Sequence, residues 1–279
     1  MFQIDLLKGR RILVTGGGTG LGKSMGRRFM ELGADLVICG RRAEVLEETA
    51  WELRKEFAGD VAVHNCDVRD PAQVEAMLGD IWKARPLDGL VNNAAGNFIA
   101  KTETLSPKAM DAVLGIVLHG SAYVTLGCGK RWLAQGRKAS VLSIVTTYAW
   151  TGSPYVVPSA MAKAGVLAMT RSLAVEWGGR GIRLNAVAPG PFPTPGAWER
   201  LVPNAELAKG FETRNPLGRP GQHGELANLA AFLMADGSGY INGDCITIDG
   251  GDWLKGAAQF GFLEALTDAE WAAMKPKKG

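Results

Sequence analysis

A chain of 279 residues with 47% hydrophobic and 21% charged residues has enough apolar side chain for a sizeable α/β core. Its 31 Lys and Arg against 28 Asp and Glu leave a net charge of +3, spread along the chain without the basic face that nucleic acid requires. The four cysteines lie far apart with no C-x-x-C pair and the three histidines stand alone, which argues against a metal site and for free thiols. The first strand follows "MFQIDLLKGR" directly, without the pattern of a secretion signal, and no apolar run approaches the roughly 20 residues of a membrane span. These features predict a cytoplasmic protein with neither a nucleic-acid nor a membrane partner.

In chain order, the β-rich runs "RILVTG", "ADLVICG", "VAVHNCDV", "GLVNNAAG", "SVLSIV", "IRLNAVAPG" and "DCITIDGG" alternate with helical stretches. That alternation predicts an α/β fold, a Rossmann-type doubly wound parallel sheet with helices on both faces. No linker or repeat divides it, so residues 1–279 are read as a single dinucleotide-binding domain.

After the first strand, "TGGGTGLG" places Gly16, Gly20 and Gly22 where a helix begins. Such glycines let backbone approach a pyrophosphate, while the helix N-terminus offers free N–H groups and positive dipole. The second strand ends in Cys39, Gly40, Arg41 and Arg42, without the acidic residue that would hold ribose hydroxyls in an NAD site. A guanidinium there suits the 2′-phosphate of NADPH. Arg41 is the expected contact and Arg42 the expected surface residue.

The run "SVLSIVTTY" reads as the fifth strand, which would point Thr146 and Tyr148 the same way, and "PSAMAKAGVLAMTRSLAVEWG" reads as the helix after it. Lys163, one turn into that helix, reaches the crevice at the strand ends, where its charge can hold a nicotinamide ribose and lower the pKa of a phenol. A proline-rich stretch at about 191–220 is expected to form a short helical lid over the site. At about 256–279 an amphipathic tail brings Phe262, Leu263, Leu266, Trp271 and Met274 toward one helical face, with Thr267 as N-cap.

The motifs "TGGGTGLG", "CDV", "NNAAG", "SAMAKAGV", "IRLNAVAPGP" and "ITIDGG" make the chain similar to the short-chain dehydrogenase/reductase family over nearly its whole length. Ser159 stands where that family has its tyrosine, Thr146 where it has its serine, and Val117 and Leu118 occupy the place of its helix-four asparagine. With "NNAAGNFI", "TTYA", "VVPSAMAKAGV" and "PGAWERL", these departures resemble the NADPH-dependent 2,4-dienoyl-CoA reductase branch.

The resemblance implies Tyr148 and Asn97 as catalytic groups with Lys163 and Ser159, and leaves Tyr155 to packing or an occasional substrate contact. It implies nucleotide contacts at Gly16, Thr19, Gly20, Leu21, Gly22, Arg41, Asp67, Val68, Asn93, Ala94, Lys163, Pro189, Gly190, Pro191 and Phe192. Acyl-CoA contacts are implied at Arg69, Phe98, Ser106, Thr146 and Arg200, with surface salt bridges as the other reading of the two arginines. The implied reaction converts a 2,4-dienoyl-CoA to a 3-enoyl-CoA in unsaturated fatty acid degradation, with NADPH as cofactor, in a homotetramer or homodimer. Two other functions fit the same residues: reduction of another enone or ketone, and a catalytically silent NADPH-binding sensor or scaffold.

Overall fold

The computed structural model describes residues 2–194 and 215–274. Seven strands, β1 (Arg11–Thr15), β2 (Asp35–Gly40), β3 (Val61–Asn65), β4 (Gly89–Asn92), β5 (Ala139–Ile144), β6 (Ile182–Pro189) and β7 (Cys245–Ile248), form one sheet. All pairings are parallel, in the order β3-β2-β1-β4-β5-β6-β7.

The inner strands are apolar on both faces because both are covered. Ile12, Val14, Leu36 and Ile38 pack with helices α1 (Gly20–Glu31), α2 (Ala43–Glu56) and α8 (His223–Met234). Their neighbours Leu13, Val37 and Cys39 point to the opposite face, against α3 (Pro71–Ala84), α5 (Gly120–Ala134) and α7 (Val157–Gly178). Asp70 caps α3 by accepting the N–H groups of Ala72 and Gln73, with Pro71 at its first position.

Helix α4 (Pro107–Leu114) runs through one π-turn, Gly115–His119, into α5. The continuous run Pro107–Ala134 is long and apolar enough by composition to cross a membrane, which corrects the expectation that no such run exists. Half of its apolar window is buried in the fold.

The tail also differs from expectation. Thr267 does cap the helix Asp268–Ala273, through a capping box with Glu270, but Phe262 and Leu263 lie in a separate 3-10 turn, Gly261–Ala265. The cap starts a new helix at that point, so the five apolar residues do not share one helical face.

Candidate active site

The strand order reverses direction between β1 and β4, and crevices of open α/β sheets form at the carboxyl ends beside such a switch. A cavity of about 420 Å³ lies there, walled by Gly16, Thr19, Arg41, Arg42, Asp67, Val68, Asn93 and Ala94 among others. The turn after β1 is pinned to the end of β4. Thr15 Oγ1 accepts the N–H groups of Asn93 and Ala94, each at 3.0 Å, and Asn93 Nδ2 donates to the Thr15 and Gly16 carbonyls at 3.0 and 3.2 Å. Gly22 has to be glycine, because a Cβ there would stand 2.4 Å from the Gly16 oxygen. Gly20 has φ +53°, and a Cβ added to it would lie 3.3 Å from Thr194, a neighbour that sequence reasoning did not single out.

Both arginines after β2 are exposed, and both line the cavity, Arg42 as well as the expected Arg41. Arg42 heads α2 and its Nη2 comes to 3.5 Å from Thr19 Oγ1, so it faces the glycine turn. Asp67 and Arg69 pair with each other on this rim, Arg69 Nε lying 3.0 and 2.9 Å from the two carboxylate oxygens. That hydrogen bonding pulls the Asp67 carboxyl below its usual range. Two guanidiniums and a glycine turn at a helix N-terminus suit the phosphates of a nucleotide.

The second group of residues gathers after β5. The strand ends at Ile144 and the chain turns at Thr146, whose Oγ1 accepts the Tyr148 N–H at 3.1 Å. Tyr148 opens the one-turn helix α6 (Tyr148–Thr151). Thr146 and Tyr148 therefore do not share a strand face; a side chain-to-backbone turn, the local competitor of a strand ladder, sets their directions. The Tyr148 hydroxyl reaches Ser159 Oγ at 3.0 Å. Ser159 and Lys163 are one turn apart on α7, hence on one face, and both are buried. Lys163 Nζ donates to the Ile144 carbonyl at the end of β5. Burial pulls its pKa from 10.5 to about 8.

Asn97 lies in the coil after β4, and its Oδ1 accepts the Phe98 N–H at 2.9 Å. Fixing the amide oxygen leaves Nδ2 as the end free to donate. Phe98 packs with Val113, Val117 and Ala162. Ser106 caps α4, its Oγ accepting the Ala109 N–H at 3.2 Å. Leu21 packs into the core, and Pro189 and Gly190 lie at the end of β6, where the Gly190 N–H bonds the Ile248 carbonyl. Pro191 and Phe192 line a separate cavity of about 90 Å³ with Asn215 and Asp249, not the wall of the larger one. Arg200 and most of the expected lid lie outside the described residues.

Tyr155 is 57% exposed and does not pack into the core. Two further contacts were not anticipated. Trp150 of α6 meets Trp253 edge-to-face at 5.7 Å, and Trp253 is itself anchored through its backbone N–H to the Asp249 carboxylate. His223 bridges Ser24 of α1, at 2.8 Å, and the Pro193 carbonyl, at 2.7 Å. Their sequence signal is only a lone aromatic or histidine, whose partners are far away along the chain.

Comparison with known proteins covers nearly the whole chain. The family described as enoyl-(acyl carrier protein) reductase matches residues 16–252. A Caenorhabditis elegans protein named probable 2,4-dienoyl-CoA reductase 3, (3E)-enoyl-CoA-producing, is 47% identical over 271 residues, 95% of this chain and 88% of its own. A Bacillus subtilis protein named probable 2,4-dienoyl-CoA reductase, (2E)-enoyl-CoA-producing, is 45% identical over 248 residues, 88% of this chain and 97% of its own. Among solved structures, a gluconate 5-dehydrogenase from Burkholderia cenocepacia in complex with NADP and tartrate is 33% identical. It has a TM-score of 0.82 and covers 90% of this chain and 98% of that one.

Proposed function

The chain belongs to the short-chain dehydrogenase/reductase family of oxidoreductases, and from that premise we propose that it reduces 2,4-dienoyl-CoA thioesters to 3-enoyl-CoA with NADPH. The observation that carries this reading is the pairing of the Tyr148 hydroxyl with Ser159 Oγ at 3.0 Å, at the place where Lys163 is bonded to the end of β5. A conventional ketone site would have the tyrosine on α7; here that position is a serine, and the phenol comes from the turn after β5.

Bound NADPH supplies a hydride to the δ carbon of the dienoyl group. The electron pair then moves onto the thioester oxygen, and two donors aimed at that atom stabilise it: the Tyr148 hydroxyl and the Asn97 amide. Ser159 orients the phenol, and the Lys163 charge holds the nicotinamide ribose. Protonation at the α carbon completes the 3-enoyl product. Arg41 and Arg42, with no carboxylate at the end of β2 to repel a phosphate, support NADPH over NADH. Arg69, Phe98, Ser106, Thr146 and Arg200 are proposed acyl-CoA contacts.

We further propose a homotetramer or homodimer, since Val175 (86% exposed) and Met161 on α7 and Leu126 on α5 present apolar side chains to solvent. A cytoplasmic setting is proposed from the four free cysteines, three of them buried.

The test follows loss of NADPH absorbance with a 2,4-dienoyl-CoA, a 2-enoyl-CoA and a 3-ketoacyl-CoA, with identification of the product. Turnover of the first alone, to the 3-enoyl product, is expected. A 2-enoyl product, the kind stated in the name of the Bacillus subtilis relative, would move the protonation to the γ carbon. Turnover of the ketoacyl thioester alone would overturn the reading.

A further inference from the structure

Tyr155 has φ +64°, and among the described residues no other non-glycine residue has a positive φ. An L side chain in that region crowds its own backbone, so a bulky residue holds it only where the surroundings enforce it. The side chain supplies no reason: the ring is 57% exposed, and among the described residues the phenol has no hydrogen-bond partner. The reason lies in the main chain. The conformer aims the Tyr155 carbonyl at the Ala100 N–H, which donates to it at 3.0 Å.

The two segments joined by this bond are the ones that carry the proposed donors. Tyr155 lies in the turn between Tyr148 and Ser159. Ala100 lies near the end of the coil that carries Asn97. That coil is pinned at its start, where Asn93 and Ala94 bond Thr15, and Phe98 gives it an apolar foothold beside Val113, Val117 and Ala162. Between residues 95 and 101, the bond to Tyr155 is its one backbone hydrogen bond to another segment among the described residues. Without it, the coil could slide along Phe98 and carry the Asn97 amide away from the Tyr148 hydroxyl.

We infer that Tyr155 is a positioning residue that works through its backbone: its left-handed conformer latches the Asn97 coil to the Tyr148 turn and fixes the spacing of the two donors, and its phenol is not used. The inference rests on the reading of Asn97 and Tyr148 as paired donors to a thioester oxygen.

Four variants test it in the full-length protein. Tyr155→Gly reaches φ +64° without strain, Tyr155→Phe is the conservative change, and Tyr155→Ile is β-branched and resists that region. Ala100→Pro removes the donor from the other side of the bond. With a dienoyl-CoA, Tyr155→Ile and Ala100→Pro should each lose about 10- to 10²-fold in kcat, as misplaced reacting groups do, while NADPH Kd stays unchanged. The glycine and phenylalanine variants should retain wild-type kcat.

In an Asn97→Ala background, Tyr155→Ile should add no further loss, because it acts through Asn97. Full kcat in Tyr155→Ile, an equal loss in Tyr155→Phe, a loss that persists without Asn97, or a loss matched by weaker NADPH binding would each overturn the latch. Hydrogen exchange at the Ala100 amide reads the latch independently of substrate: it should quicken in Tyr155→Ile and hold in Tyr155→Gly. If the wild type does not reduce dienoyl-CoA, the functional reading fails, and this exchange result still decides whether the latch exists.

Discussion

Replacing Lys163 with methionine turns the cost of a buried charge into a measurable pH dependence. The Lys163 side chain is 7% exposed, and burial draws its pKa from 10.5 to about 8. An unfolded chain keeps this proton to about pH 10.5 and the folded chain releases it near pH 8. Between those values the unfolded state binds more protons, so stability rises with pH across the window. At about 1.36 kcal/mol for each tenfold step in proton affinity, the gap corresponds to roughly 3 kcal/mol. The wild type carries this penalty in full below pH 8 and loses it toward pH 10.5. The methionine variant never carries it, but leaves the Ile144 carbonyl without its donor, a cost of about 1–3 kcal/mol at every pH. Variant minus wild-type unfolding free energy should therefore fall by about 3 kcal/mol between neutral pH and about pH 11. Urea unfolding of the cofactor-free protein at stepped pH measures it, and taking the difference cancels the groups common to both chains. A flat difference across the window would refute the burial argument, and one that rises would mean that the bond to Ile144 outweighs desolvation.

Four other outcomes are expected. Tyr148→Phe should lower kcat with a dienoyl-CoA by about 10²-fold with NADPH Kd nearly intact, because a donor used only in the transition state is lost; full turnover would remove Tyr148 from the chemistry. Removing the charges of Arg41 and Arg42 together should raise the KM for NADPH far more than that for NADH, and equal effects would count against phosphate binding. If the charged ammonium of Lys163 is the working form, kcat/KM should decline above about pH 8 in wild type, and the decline should be absent from the residual activity of Lys163→Met. Light scattering at working concentration should give a dimer or tetramer, and a monomer would refute the association proposed for α5 and α7.

What could be read from the sequence was what is encoded locally. The strands were legible because a parallel sheet covered on both faces needs short runs that are apolar throughout, and the glycine turn because its residues sit between a strand and a helix. The direction of Tyr148 was not legible from alternation along β5. The strand ladder with β6 ends at Ile144 opposite Val187, and two residues later a threonine hydroxyl captures a backbone N–H and turns the chain. The consecutive threonines "TT" before the tyrosine were the available clue, since Ser and Thr side chains offer the backbone that alternative. Nothing in a sequence says which of two adjacent arginines meets the glycine turn: both line the cavity, and only the fold brings Arg42 to Thr19.

Tyr155 marks the other limit. Its neighbours "TGSPY" announce a turn, but which residue takes the left-handed conformation depends on a carbonyl meeting the Ala100 N–H, 55 positions earlier, and no local preference encodes that. The same holds for the Tyr148–Ser159 pair, which exists only because the end of β5 and the start of α7 are brought to one crevice. Composition and periodicity thus say where a crevice must form, while the spacing of the donors inside it is set by backbone bonds between segments. A sequence comparison limited to Tyr148, Asn97, Ser159 and Lys163 would therefore miss a change at residue 155 or 100 that left all four in place and still separated the donors.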